Sequence, residues 1–383
     1  MFGQAQRGDA ECLERVVGGI TWEEFCDTLK MAGAVIQRDS SPRDGLTRAE
    51  GLRYLSRVLR AGLEAFVEHA DSCAPTLQRV VHETAKMGSD NPDNYYQNAA
   101  ISGEYEYRIT GSRGTVHYLS FATQSGGYGE GRGLPLTGFL DAKDLELAAD
   151  GSFSITVSCE RRPGNWLPMK PESGTLIVRQ TFGDRAQETI AELRVERIGG
   201  DARPTPLTPR ALDQGLLRAA NLVGGVAALF AGWAEGFQKH ENALPQFDSA
   251  LSTAFGGDPN IAYYHSYWRL APDEALVIDA TPPPCDHWNF QLNNHWMESL
   301  DYRYFNIWVN KFTARYRPDG SVRIIVAHRD PRGAGSPNNW IDNWIDTAGH
   351  SFGTMCFRWI RAEQHPQPAA RVVKFADVVE DQR

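Results

Sequence analysis

The chain carries one signature twice, and a repeat of this kind leaves few architectures open. Asp150-Gly151-Ser152 returns as Asp319-Gly320-Ser321, Asn165-Trp166-Leu167 as Asn343-Trp344-Ile345, and Gly174-Thr175 with Arg179 as Gly353-Thr354 with Arg358. Each copy reads as a turn, a strand, an Asn-Trp loop and a second strand, because Asp-Gly punctuates the chain and the runs between are strand-like. Upstream, Tyr107-Arg108-Ile109 is matched with Trp268-Arg269-Leu270, each opening a strand-rich run. The expectation is a duplicated β-module of roughly a hundred residues.

Before the first copy, residues 8–36 and 44–71 read as helices. Thr21 followed by Glu23 and Glu24 marks a capping-box start. Leu52, Leu55, Leu59, Leu63 and Phe66 recur at helical spacing behind Thr47 as N-cap, with Arg53, Arg57 and Arg60 outside. Between the copies, Thr208-Pro209 suits an N-cap and first turn. From Leu212 through Leu216, Ala219, Val223, Val226, Phe230, Trp233 and Phe237 runs one apolar seam, predicting a long amphipathic helix. It packs on the sheets or on a second copy of the chain, and a homodimer is the second of these readings.

Charge and cysteine usage narrow the partners. A net charge of -9 without a Lys/Arg cluster argues against a nucleic-acid surface. The N-terminal residues show no apolar h-region, and the run from Leu216 to Phe237 is interrupted by charge and glycine, so neither an export signal nor a membrane span is expected. The cysteines Cys12, Cys26, Cys73, Cys159, Cys285 and Cys356 form no CxxC or regular framework, which favours reduced thiols and a cytoplasmic location.

The chemistry-bearing residues fall in the second copy. Val322, Ile324, Val326, His328 and Asp330 alternate onto one strand face, which places His328 as the first polar side chain on an apolar row at the strand end. Asp346, His350 and Arg358 follow. Cys159, Arg161 and Pro168 stand in the first copy where His328, Asp330 and Asp346 stand in the second, and His350 has no counterpart there. The shared Gly, Asn, Trp and Arg then read as scaffold. The acid–base groups belong to the second copy alone.

The expected catalytic set is His328 or His350 as base, oriented by Asp346 or Asp330, with Arg358 or Asn343 stabilising developing negative charge. Asn343, Trp344, His295, Trp288, Asp90 and Tyr96 are the expected substrate-binding residues. His287, Asn289, Gln291, Asn293 and His295 share one strand face too polar for a dry core, which should line water, a polar ligand or a subunit surface. No cofactor is needed by this reading. The metal-dependent variant would use His328, Asp346, His350 and His295, although the chain has no HxH pair. SGGYGEGRG at Ser125–Gly133 is glycine-rich but not followed by a Lys-Ser/Thr helix, so it reads as a loop over a cleft or a hairpin connection.

The NWLP run at Asn165–Pro168, the DNPD turn at Asp90–Asp93, the RAEGLRYL helix at Arg48–Leu55 and the HRDP and NWIDTAGH runs of the second copy resemble the DUF1214 family. The resemblance covers most of the chain and implies β-sandwich or jelly-roll modules, while no activity comes with the family. The fold expected is therefore mainly β with helices, α+β. Its parts are an N-terminal helical segment at 1–85, β-modules at 86–199 and 251–383, and a linker with the long helix at 200–250. The expected function is acid–base hydrolysis or elimination on a small hydrophobic or cyclic metabolite. A non-catalytic small-molecule or carbohydrate-binding sandwich is the rival.

Overall fold

The computed structural model describes residues 7–128, 133–201, 203–331 and 342–380. Part of the glycine-rich loop, Trp340 and the middle of the HRDP–NWID stretch lie outside these. The chain divides into two compact units that do not follow chain order. The first comprises Met1–Ala85, Asp93–Leu229 and Thr253–Gly256, and the second Lys86–Pro92, Phe230–Ser252 and Gly257–Arg383.

In the first unit the N-terminal helices are shorter than their periodicity suggests. The single helix expected over 8–36 is two, α1 (Asp9–Val17) and α2 (Ile20–Gln37), because Gly18-Gly19 intervenes and Gly19 takes a φ of 79° that side chains disfavour. Thr21 does not cap. Its hydroxyl donates to the buried Asp213 carboxylate, which also receives Arg15 Nε at 3.0 Å and Arg7 Nη1 at 3.4 Å. The next helix, α3 (Gly45–Leu63), starts at Asp44, whose carboxylate accepts Thr47 N at 2.9 Å, so Thr47 is capped rather than capping. Its inner face is Gly51, Tyr54, Val58 and Ala61, whereas Leu52 is 54% exposed. The chain leaves α3 through a wide turn at Glu64–Glu68, closed by His69 N on Glu64 O at 2.9 Å. Helix α4 (Pro209–Phe237) begins where Thr208-Pro209 signals it, with Ala211 N on Thr208 Oγ1 at 3.1 Å. By length and composition it could cross a membrane, yet 61% of its most apolar window is buried in the protein. Leu216 and Ala220 of α4 pack with Phe25, Leu29, Leu59 and Leu63. A short helix, α5 (Ser249–Ala254), follows it.

The β-structure repeats strand for strand. The first module has strands β1 (Asn94–Ala100), β2 (Tyr107–Ser112), β3 (Tyr118–Gln124), β4 (Leu136–Asp141), β5 (Ser152–Ser158), β6 (Trp166–Pro168), β7 (Thr175–Thr181) and β8 (Glu192–Arg197). They form two open sheets of order β1-β7-β3-β4 and β6-β5-β2-β8. The second module has β9 (Ile261–Arg269), β10 (Glu274–Ala280), β11 (His287–Leu292), β12 (Trp308–Asn310), β13 (Val322–Ala327), β14 (Asn343–Asp346), β15 (Phe352–Ile360) and β16 (Ala369–Lys374). Its sheets, β12-β11-β15-β9 and β14-β13-β10-β16, reproduce the first pair in order. In both modules the Asn-Trp strand pairs parallel to its neighbour, Thr156 against Trp166 and Ile324 against Asn343, while the other pairings are antiparallel.

This register corrects one match. Ile109 lies opposite Ile155 and Ile278 opposite Ile324, so Tyr107–Ile109 corresponds to a stretch of β10. Trp268-Arg269-Leu270 sits at the end of β9, paired with β15, and is the partner of no part of β2. The error came from matching a single aromatic-Arg-aliphatic triplet, a pattern that half-buried strands produce readily.

Each module is a sandwich with one core between its sheets. In the second, Trp288, Phe290 and Leu292 of β11 and Met355, Phe357 and Trp359 of β15 meet Val322, Ile324 and Val326 of β13 and Leu276 and Ile278 of β10. Strand β13 is buried on both faces, since Ile325 and Ala327 pack with Ala275, Val277 and Phe375 of helix α6 (Phe375–Glu380). The strand ends at Ala327, one residue before His328.

A buried polar face on the second module

Strand alternation sends Trp288, Phe290 and Leu292 into the core and therefore turns Asn289 and Gln291 the other way. Pairing extends that face across the sheet. Asn289 lies opposite Arg358, which lies opposite Tyr263, and Gln291 lies opposite Cys356, which lies opposite His265. Asn293, Thr354 and Tyr267 continue the same rows. All but Tyr263 are buried.

The centre is Arg358. Its Nη1 donates to Gln291 Oε1 and to Asn289 Oδ1 at 3.2 Å, and its Nη2 to Ser89 O at 2.6 Å. Ser89 belongs to the strap Lys86–Pro92, which the second unit takes from upstream of the first β-module. Asn289 Nδ2 donates to Asn91 Oδ1 at 2.6 Å, Gln291 Nε2 to Asp90 O at 2.8 Å, and Asn293 Nδ2 to Ser89 Oγ at 3.0 Å. The Asp90 carboxylate takes Ser299 N at 2.9 Å and Ser299 Oγ at 2.7 Å, and burial holds its pKa above the ordinary carboxylate range. Ser89 adopts a φ of 61°, unusual for a residue with a side chain, and the surrounding bonds hold it there.

Beside this network lies His265. Its ring is stacked between Phe237 and Tyr263, with centroids at 5.3 and 5.6 Å, and Phe247 meets it edge-on at 5.2 Å. Burial, with the Arg358 charge adding, lowers its pKa to about 3, so the imidazole is neutral at physiological pH. Nε2 is 3.9 Å from Cys356 Sγ, and Nδ1 is buried without a hydrogen-bond partner among the described residues. Burial raises the Cys356 thiol, so Cys356 and His265 rest as thiol and neutral imidazole and form no thiolate–imidazolium pair.

The residues singled out from the sequence are distributed over several places. His328 and His350 come together at one turn. His328 Nδ1 is 3.1 Å from Thr347 Oγ1, and His350 Nδ1 is 3.1 Å from both Thr347 O and Ala348 O. Two carbonyl oxygens on one nitrogen require His350 to carry a proton on Nδ1. Asp346 sits in the same turn, but its carboxylate accepts Ala348 N at 2.8 Å. Asp330 follows His328 by two residues, half-buried. Arg358 and Asp90 lie in the polar network. His295 Nδ1 is 3.0 Å from the Tyr267 hydroxyl. Trp288 occupies the core face of β11, and Trp344 packs by α6 with Nε1 on Ala327 O at 3.2 Å. Asn343 ties backbone together through Arg315 and Arg323. Tyr96 lies on β1 of the first module, opposite Arg179. Among the described residues no three His, Cys, Asp or Glu side chains are grouped to hold a metal ion.

The profile of a family described as a protein of unknown function (DUF1214) matches residues 130–182. An uncharacterized protein from Burkholderia cenocepacia, known as a crystal structure, is 55% identical, with 95% of this chain and 99% of that one covered and a TM-score of 0.91. The chain belongs to the DUF1214 family. The VPA0106 protein from Vibrio parahaemolyticus shares the fold at 11% identity and a TM-score of 0.50, over 91% of this chain and 100% of that one. No curated protein matches this DUF1214 sequence.

Within this DUF1214 protein the sequence reading missed His265, Cys356, Tyr263 and the strap residues Ser89 and Asn91. A signal for the first three existed. Tyr263, His265 and Tyr267 alternate along β9 as Asn289, Gln291 and Asn293 do along β11, and Thr354, Cys356 and Arg358 do along β15. In the strap the DNPD turn drew attention to Asp90, while Ser89 and Asn91 were passed over because their partners are distant in sequence.

Proposed function

We propose that the second module binds a small polar molecule on the face formed by β9, β15 and β11, without turning it over. One observation carries this reading: the buried Nδ1 of His265 has no hydrogen-bond partner among the described residues. Folds rarely leave such an atom unpaired unless a ligand or water meets it. The aromatic rings of Phe237, Phe247 and Tyr263 supply an apolar wall beside it, and the Arg358 network a polar floor, the combination that small-molecule sites share.

The first module supplies the control. Asn98 stands on β1 where His265 stands on β9, since Asn98 lies opposite Ile177 and His265 opposite Cys356. Ser120 stands where Asn289 does, each opposite the arginine of its own module. His265→Asn and Asn289→Ser therefore install residues the same scaffold already carries. A panel of small carboxylates, amides and sugars is screened for stabilisation of the full chain, and hits are followed by calorimetric titration. The expected result is a hit whose affinity falls at least tenfold in both variants when titrated well below each variant's melting temperature. A hit that binds both variants unchanged would sink the proposal.

A second reading, hydrolysis or elimination on a small hydrophobic or cyclic metabolite, is favoured by the carbonyls of Thr347 and Ala348 at His350 Nδ1, which orient the ring as the partner of a general base does. It requires that His350→Ala and His328→Ala abolish product formation while the same ligand still binds.

A further inference from the structure

The two arginines of the repeat are served unequally. Arg358 of the second module meets the oxygens of Gln291, Asn289 and Ser89. Arg179 holds the matching place on β7, but the residues facing it are shorter. Ser120 lies opposite Arg179 where Asn289 lies opposite Arg358, and Ala122 stands where Gln291 does. Both amides are thereby missing from the first module. One oxygen remains, because Arg179 Nη2 donates to Gly256 O at 2.6 Å, in the segment Thr253–Gly256 that belongs to the same unit.

Arg179 is 7% exposed, yet no carboxylate among the described residues pairs with it. Its Nε and Nη1 have no partner among these residues either, and neither atom is sealed, so the small open part of the side chain carries free donors. The hydroxyl of Ser120, directly opposite, is buried without a partner among the described residues. Tyr128 supplies no counter-charge. Its hydroxyl donates to Phe255 O at 3.0 Å, and burial pushes the phenol up to about 12 against the opposing Arg179 charge. A cation taken out of water without an opposite charge destabilises a fold, and an anion at its free donors removes that cost.

We propose that the first module holds a small monocarboxylate at Arg179, its oxygens standing in for the amide oxygens that Asn289 and Gln291 supply to Arg358. The single charge follows from the single cation, since a dianion would leave a net negative charge in the same place. The planar pair of oxygens follows from the pair of free N–H donors, which a carboxylate meets with charge-assisted hydrogen bonds. The small size follows from the room left where Ser replaces Asn and Ala replaces Gln.

The test is a thermal melt of the full chain titrated with sodium acetate, with sodium chloride at matched ionic strength and acetamide as the neutral isostere. Acetate is expected to raise the melting temperature saturably and beyond both controls, as a ligand of the folded state does. Arg179→Gln, which keeps a donor for Gly256 O, weakens acetate about tenfold or more. Ser120→Asn does the same with the arginine in place, by returning an amide oxygen to the guanidinium. In crystals of the wild-type protein grown with acetate, planar density lies against Nε and Nη1. Acetate that does no better than chloride or acetamide overturns the proposal, as does density at another place or unchanged affinity in either folded variant. His265→Asn keeps the acetate response, and screening for second-module ligands in an Arg179→Gln background removes it, so the two sites stand or fall separately.

Discussion

Asn165 and Asn343 do the same work in the two modules. Asn165 Nδ2 donates to Glu146 O at 2.9 Å and Ser154 O at 3.2 Å, and its Oδ1 accepts Glu146 N at 2.8 Å. Asn343 Nδ2 donates to Arg315 O and Arg323 O, both at 3.0 Å, and its Oδ1 accepts Arg315 N at 2.7 Å. Each amide closes the loop before the sandwich's DGS turn onto the parallel strand pair. The following tryptophan repeats the pattern, Trp166 Nε1 on Ser158 and Trp344 Nε1 on Ala327. Asn343→Ala should cost about 1–3 kcal/mol, because buried backbone groups lose their partner, and the half-buried Asn165→Ala about 0.5–1.5 kcal/mol. Urea unfolding of the two variants decides it.

The two glycines that recur in the repeat, Gly174 and Gly353, are not equivalent. A Cβ on Gly353 would meet Asn293 O at 2.2 Å, whereas one on Gly174 would meet nothing within 4 Å. Gly353→Ala should therefore destabilise by about 1–3 kcal/mol. Gly174→Ala should stay within about 0.5 kcal/mol of wild type. Thermal melts of both suffice, and equal shifts would show the register to be wrong at one site.

Stability should fall as pH drops from about 6.5 toward 3, because His265 is held neutral by burial and by Arg358 with its pKa near 3 in the fold. The unfolded chain binds the proton first over that window, so acid favours unfolding. His265→Asn removes the titrating group and should flatten this limb. Denaturation midpoints at several pH values between 3 and 7 measure it. A variant whose midpoints track the wild type throughout would mean that His265 is not the group responsible.

Asp213 contributes in the other acid window. Its carboxylate is held below the ordinary range by Thr21, Arg15 and Arg7, despite the opposing effect of burial, so its contribution is present above about 3.8 and lost below. Asp213→Asn leaves Arg7 and Arg15 facing a neutral group and should cost about 2–3 kcal/mol, discounted because both arginines keep some contact with water. The loss should shrink at low pH, where the wild-type carboxylate is itself protonated.

Much of the architecture was legible because period-two alternation and Asp-Gly turns are local signals. The turns at Gly151 and Gly320, with φ of 79° and 80°, fell where the sequence placed them. The helix after Thr208-Pro209 did as well. What local pattern could not supply was which strand lies beside which. Trp268-Arg269-Leu270 was placed on the wrong strand because only pairing distinguishes β9 from β10. The polar set on β11 was visible, but its completion by Cys356, His265 and Ser89 depends on cross-strand neighbours and on a strap far upstream. His328 and His350, expected as alternative bases, each meet Thr347, one at its hydroxyl and the other at its carbonyl. That both lean on Thr347 needs coordinates.

The strap has a bearing on how the gene product can be divided. Ser89, Asp90 and Asn91 leave the ribosome before any strand of the first module, yet the side chains that receive them, from Asn289 to Arg358, are translated last. A fragment beginning after residue 200 would contain every strand of the later sandwich and still lack the peptide that covers Arg358. Truncation mapping would misjudge such a piece as unstable by nature, when supplying residues 86–92 as a separate peptide should restore it.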